Sequence, residues 1–213
     1  MLFVALSCLQ GRPMARAFDE LAALGTGIQL TPGNLPTPGF RDHVAASGVP
    51  TRTHHGFAFD ARRTEVWVGD ACAVDSDSVH PPEGGRMPGH HRTVLEVMYP
   101  GYWLGCGADV ERAMRDQLPL AVDVSHVFIQ RSQGVLDDAT WRRLADYAHI
   151  AEVHVSANDG RHDTHQPLRP DTFGLAWARE RLEAGTPLVL ECYMHKLSVA
   201  ARREQLDLVR ERR

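Results

Sequence analysis

The feature that most limits what this chain can fold into is an alternation: short apolar runs follow one another, separated by segments of helical period. That order is the signature of successive βα units rather than of a sandwich or a helical bundle. It predicts strands over Val4 to Leu9, Gly27 to Leu30, Pro50 to Phe57, Ala71 to Asp75, Thr93 to Met98, Leu120 to Ile129, Glu152 to Ser156 and Leu188 to Tyr193. Helices are predicted over Pro13 to Leu24, with Phe18, Leu21 and Ala22 on one face, and over Phe40 to Ser47, Ala108 to Gln117, Asp137 to Ala148, Asp171 to Ala184 and Leu197 to Arg212. Asp137, Asp171 and Ser198 stand at N-cap positions, and Gly25, Gly48 and Gly185 close helices.

Eight strands with helices between them predict a compact α/β chain, a (β/α)8 barrel forming a single domain over residues 1–213. Such barrels usually need about 250 residues, so some outer helices should be missing or shortened around residues 60–92. There the stretch Asp60 to Asp70 is brief and Glu83 to Arg92 is rich in Gly, Pro and His without helical period.

Composition excludes several partners. With 43% hydrophobic and 23% charged residues the chain has the make-up of a soluble globular domain. Its 23 basic and 27 acidic residues leave a net charge of −4, which offers no general attraction to nucleic acid or to anionic membranes. Cys8, Cys72, Cys106 and Cys192 have no CxxC spacing, which argues against a disulfide framework or a cysteine zinc site. The apolar opening, Met1 to Leu9, lacks a basic lead-in and is too short to span a bilayer, so the expected location is the cytoplasm.

The chemistry gathers where the predicted strands end, which in a barrel is the catalytic rim. Thr53-His-His-Gly56, Ser78-Val-His80, Val94-Leu-Glu96, Val122-Asp-Val-Ser-His126, Glu152-Val-His154, His162-Asp-Thr-His165 and Val189-Leu-Glu191 each deliver a histidine or a carboxylate there. Four carboxylates, Glu96, Asp123, Asp163 and Glu191, cannot share one buried mouth as bare anions, because each would raise the others' pKa until some protonated. Divalent cations are the natural compensation. With His55, His80, His126, His154 and His165 added, about nine donors are available, too many for one four- to six-coordinate ion and suited to two or three ions sharing bridging carboxylates. His54 and His55 are adjacent, so on a strand only one faces inward; His55 is preferred and His54 kept as a metal or supporting residue.

The order His, His, Glu, Asp-x-x-His, His, Asp-x-His, Glu resembles the ligand set of the xylose-isomerase-like TIM-barrel superfamily, whose branches include sugar isomerases and epimerases, apurinic endonucleases and multinuclear non-haem iron oxidases. The resemblance implies metal ligation by His55 (or His54), His80, Glu96, Asp123, His126, His154, Asp163, His165 and Glu191. The segment Ala151 to Asp159, followed by Asp163-Thr-His165 and a helix bearing Phe173 and Trp177, is similar to the oxidase branch. That similarity implies an oxidoreductase with two or three divalent ions, iron favoured over manganese or zinc. Its substrate would be a peptide or small metabolite, a peptide-presenting partner protein is an implied further partner, and no membrane role is expected. Asp123-Val-Ser-His126 departs from that branch, where an asparagine is usual. The alternatives are a sugar or sugar-phosphate isomerase or epimerase using Mn, Co or Zn, then an endonuclease-type phosphodiesterase, then a non-catalytic metal-binding partner protein. His90, His91, Tyr99, Tyr102, Trp103, Arg131 and Arg161 are candidate substrate contacts, each with an ordinary alternative as a loop residue, core aromatic or solvated arginine.

Overall fold

A computed structural model of the chain describes residues 1–55, 77–81 and 94–211. Eight parallel strands close into a barrel in chain order: β1 (Leu2–Ala5), β2 (Gly27–Leu30), β3 (Thr51–His55), β4 (Ser78–Val79), β5 (Leu95–Val97), β6 (Leu120–Asp123), β7 (Ile150–Val155) and β8 (Leu188–Leu190), with β8 pairing back onto β1. Seven helices surround it among the described residues: α1 (Met14–Ala22), α2 (Phe40–Ser47), α3 (Gly107–Arg115), α4 (Val124–Ser132), α5 (Asp138–Ala145), α6 (Leu175–Glu183) and α7 (Val199–Arg210). The chain is therefore a (β/α)8 barrel. The shortening expected around residues 60–92, and the strand expected over Ala71 to Asp75, fall outside the described residues apart from 77–81. The fourth strand that pairs is Ser78–Val79, in register with His54 and His55 on one side and Leu95 on the other.

Helix α1 forms because Met14, Ala17, Phe18 and Leu21 recur at helical spacing and are all buried against the barrel. Asp137 and Ser198 cap α5 and α7 as expected, accepting hydrogen bonds from the amides of Thr140 and Ala201. Three boundaries differ most from the sequence expectation. The first strand stops at Ala5, and Leu6–Leu9 coils into a 3₁₀ turn. The apolar run from Leu120 to Ile129 is a strand only as far as Asp123, whose carboxylate accepts from the amides of Ser125 (2.6 Å) and His126 (3.3 Å) and so starts α4. Helix α6 begins after Gly174 rather than at Asp171. A Cβ on Gly174 would lie 2.7 Å from the Val124 side chain, so the chain first passes tightly against α4 at a positive φ of 73° and only then turns helical.

Because successive strand residues face opposite sides, Val4, Ile28, Val97, Val122, Val153, Val155, Leu188 and Leu190 pack against the helices, and their neighbours fill the barrel. Phe3 closes the interior near the amino ends of the strands beside Gly27. No helix among the described residues is long and apolar enough to cross a membrane.

Candidate metal centre

At the carboxyl ends of the strands the barrel gathers His54 (β3), His80 (after β4), Glu96 (β5), Asp123 (β6), His126 (first turn of α4), His154 (β7), Asp163 and His165 (the loop after β7) and Glu191 (after β8). Eight of the nine expected positions thus meet in one mouth, and the ninth is filled by His54. The imidazole of His54 enters the barrel, with Nε2 3.1 Å from Glu96 Oε2. The reason is the strand period: Arg52 and His54 share the inner face of β3. The side chain of His55, like His90 and His91, lies outside the described residues.

Glu96 is the hub. Its Oε2 lies 3.0 Å from His80 Nε2, and its Oε1 lies 3.1 Å from His126 Nδ1 and 3.6 Å from His154 Nδ1. Glu191 Oε1 is 3.4 Å from the same Nδ1 of His154. His126 Nε2 is 3.6 Å from Asp123 Oδ2 and 3.3 Å from Asp163 Oδ2, and that oxygen is 3.1 Å from His165 Nε2. Donor atoms converge in overlapping groups, His54–His80–Glu96, Glu96–Asp123–His126, Asp123–His154–Glu191 and, deeper, His54–Glu152–His154, so that His54, Glu96, Asp123 and His154 each belong to two. Two donors about 2.1 Å from a common ion stand about 3.0–3.4 Å apart, which is the spacing seen between these nitrogens and oxygens.

The donor chemistry fits a divalent cation. Asp123 Oδ2, His126 Nε2, His154 Nδ1, Asp163 Oδ1 and His165 Nδ1 are buried and have no hydrogen-bond partner among the described residues. Buried polar atoms are rarely left this way unless something absent from the protein chain satisfies them. His126 shows the logic locally: its Nδ1 faces the carbonyl of Val97 at 3.1 Å, and donating there turns the lone pair of Nε2 toward two carboxylates. Only a proton or a metal ion can sit between such acceptors. Burial pulls the His126 and His154 imidazoles down, but Asp123 and Asp163 around the first, and Glu191 and Glu96 around the second, hold both well above the ordinary histidine range. His165 is pushed up to about 9, its burial outweighed by Asp163, while Asp163 is correspondingly lowered. Burial, with Glu96 and Asp123 adding to it, pushes Glu191 up to about 7. Burial takes His54 the other way, to about 4. His165 also adopts a positive φ of 44°, a conformation a non-glycine residue holds only when its surroundings impose it.

Beneath the donors lies a second polar group that sequence reasoning missed: Glu152, Arg52, Ser78 and Gln29. Glu152 is fully buried; it pairs with Arg52, accepts from Ser78 Oγ (2.5 Å) and Gln29 Nε2 (3.1 Å), and meets His154 Nε2 at 2.6 Å. A signal was present. Arg52, Ser78 and Glu152 each stand two residues before a mouth histidine, and so on the same strand face.

The remaining candidates separate. Tyr99 packs its ring edge-on against His126, with centroids 5.0 Å apart, and Tyr102 packs against Tyr99, so both reach the rim. Trp103 packs with the core under α3. Arg131 is committed elsewhere, paired with Asp138 and stacked 5.0 Å over Phe173, and Arg161 is exposed on the loop after β7. The aromatic helix read as an oxidase feature has a packing explanation: Phe173 and Trp177 stack among Phe128 and Trp141 in the helical layer, and the Trp177 indole donates to the carbonyl of Ala145.

No family model and no curated protein matches the sequence. Solved structures do match. A D-tagatose 3-epimerase-like protein is similar with a TM-score of 0.61 and 13% identity, over 98% of this chain and 97% of that one. The TTHB071 protein from Thermus thermophilus, in a crystal soaked with ZnCl2, is similar with a TM-score of 0.55 and 18% identity, over 100% and 99% of the two chains. At these identities the likeness is one of fold, and neither neighbour supports the expectation of an iron oxidase. The fold shared with these neighbours is the closed eight-stranded parallel barrel.

Proposed function

We propose that the protein is a metal-dependent isomerase or epimerase of small hydroxy-carbonyl compounds, sugars or sugar phosphates, working with two or three divalent ions held by His54, His80, Glu96, Asp123, His126, His154, Asp163, His165 and Glu191. The observation that carries it is the convergence of two carboxylates, Glu96 and Glu191, on one nitrogen of His154, 3.6 and 3.4 Å from its Nδ1. An epimerase-like neighbour of the same fold supports the reading. The bound cation would polarise a substrate carbonyl and acidify the adjacent C–H bond. Glu191, buried at the mouth with Oε1 3.4 Å from His154 Nδ1, is the carboxylate suited to take that proton at Oε1. Asp123 and His154 orient it, and the Tyr99 ring walls the mouth beside His126. Manganese, cobalt or zinc replaces iron in this reading, and the substrate is a small molecule that needs no partner protein.

The test is exchange. Protein loaded with Mn²⁺, Co²⁺ or Zn²⁺ is incubated in D₂O with ketoses and ketose phosphates, and deuterium uptake beside the carbonyl is followed by NMR. Uptake is expected, and Glu191→Gln should lower its rate by about 10²–10⁴-fold, the usual worth of a general base. Absence of exchange with every ketose sinks the reading. A second reading, metal-assisted phosphodiester hydrolysis, is favoured by His126, Asp163 and His165, which extend the donor set past Glu96, Asp123, His154 and Glu191. Cleavage of bis(p-nitrophenyl) phosphate by the same preparations, without exchange, would select it.

A further inference from the structure

The carboxylate of Glu152 has no free acceptor capacity facing the mouth. Oε1 is approached by Ser78 Oγ at 2.5 Å, Gln29 Nε2 at 3.1 Å and His154 Nε2 at 2.6 Å, and Oε2 is taken by Arg52, which also lies 3.7 Å from Asp77. An ionised carboxylate accepts only, so every group around it must donate. That requirement fixes two imidazoles. His154 has to carry its hydrogen on Nε2, and its Nδ1 lone pair then points to the space between Glu96 and Glu191. Ser78 has one hydroxyl hydrogen, and it goes to Glu152. The Ser78 oxygen must therefore accept from His54 Nδ1 at 2.8 Å, which leaves the His54 Nε2 lone pair facing Glu96. One residue thus sets ring orientation and tautomer in histidines of two different strands, β7 and β3, that also belong to two different donor groups at the mouth.

We propose that Glu152 is a positioning residue for the metal centre, holding His154 directly and His54 through Ser78, with Arg52 balancing its charge. The proposal rests on the metal reading above. A partner of this kind fixes which nitrogen is free to bind and makes it a better ligand, and losing one typically costs about 10–100-fold in metal affinity. Glu152 shares a donor group with His54 and His154, but each of its oxygens is already committed to a donor inside the barrel, so its part in this proposal is support rather than ligation.

The experiment is a cobalt titration of the purified full chain, followed by calorimetry and by the visible absorption bands, whose position and intensity report the geometry around the ion. Wild type, Glu152→Gln and Ser78→Ala are compared, with circular dichroism and metal-free melting as folding controls. Glu152→Gln should weaken binding by about 10–100-fold and alter the bands, because its one amide oxygen can keep Ser78 and His154 only with the NH2 turned, donor to donor, against Arg52. Ser78→Ala should disturb only the groups that include His54, a smaller loss of under about tenfold, and it supplies the answer if Glu152→Gln does not fold. If Glu152→Gln folds and binds cobalt with wild-type affinity and spectrum, or if it does not fold and Ser78→Ala is indistinguishable from wild type, the proposal is overturned while the metal reading stands. If wild type itself binds no cobalt, the metal reading falls and takes the proposal with it.

Discussion

The barrel interior has two storeys, and they treat charge in opposite ways. In the lower one, Glu152 is surrounded by donors: burial raises its carboxyl, but His154, Arg52 and Ser78 bring it down to about 2. In the upper one, Glu191 has few donors and other carboxylates nearby, and it is pushed up to about 7. Both glutamates are buried on strands or strand ends of the same barrel. The difference is completeness. Apart from Gln29 Oε1, the lower group satisfies itself with residues of the chain, whereas the upper group leaves buried nitrogens and oxygens facing one another across gaps that suit a proton or a cation.

The largest expected effect falls on the upper storey. Replacing Asp123 and His154 together by alanine removes members of three of the four donor groups and should abolish stoichiometric divalent metal binding, measured by metal analysis after dialysis. Asp123 also caps α4, so its loss should cost about 1 kcal/mol of stability, visible as a lower Tm. Metal retained at the wild-type ratio would show that the two storeys do not differ as described.

A second, smaller effect separates the storeys by pH. His165, with an ordinary value of 6.5, is raised to about 9 in the folded protein, and His126 and His154 are raised as well. A histidine whose folded pKa is raised stabilises the fold fully below about 6.5 and loses that contribution as pH climbs through the folded value. The raised carboxyl of Glu191 acts in the same direction between about 4.5 and 7. Glu152, being lowered, does the reverse: its contribution is present above about 4.5 and is lost only as pH falls through about 2. Chelated protein should therefore melt at steadily lower temperature between pH 6.5 and 9, at up to about 1.4 kcal/mol per pH unit for each proton released. Metal-loaded protein, in which ions replace those protons, should show a flatter profile. Parallel profiles would count against cations as the missing partners.

How far the sequence reveals this depends on period. The strands and helices are legible because apolar residues recur at a period of about 2.0 or 3.6, and the carboxyl-end donors are legible because they cluster by type just after those strands. The reading stumbles where period is silent. From Leu120 to Ile129 both strand and helix are buried, so no polar interruption marks the turn at Asp123. His54 and His55 are chemically identical, and only the register of β3, with Arg52 already inward, decides between them. Glu152 escapes because its role is relational: a lone glutamate before a histidine becomes a support only when Ser78, Gln29 and Arg52 arrive from three other strands.

The smallest expected effect probes the bottom of the lower storey. Gly27 lies beside Phe3, and a Cβ there would be 2.4 Å from Cδ1 and 2.5 Å from Cε1 of the Phe3 ring, and 3.1 Å from the carbonyl oxygen of Pro50. The ring can move only by disturbing Arg52, whose guanidinium lies 5.8 Å from its centroid, and the Pro50 carbonyl belongs to the backbone leading into β3. Gly27→Ala should thus cost about 1–3 kcal/mol through overpacking, or roughly 2–4 °C of Tm per kcal/mol in a chain of this size. Metal stoichiometry should stay at the wild-type value, because the donors of the mouth sit a full layer above and Arg52 retains Glu152 as its partner. If the melting temperature and the metal content fall together, the lower storey is not self-contained: strain at Phe3 would be reaching His154 through Arg52 and Glu152, and the two storeys would have to be treated as one coupled unit.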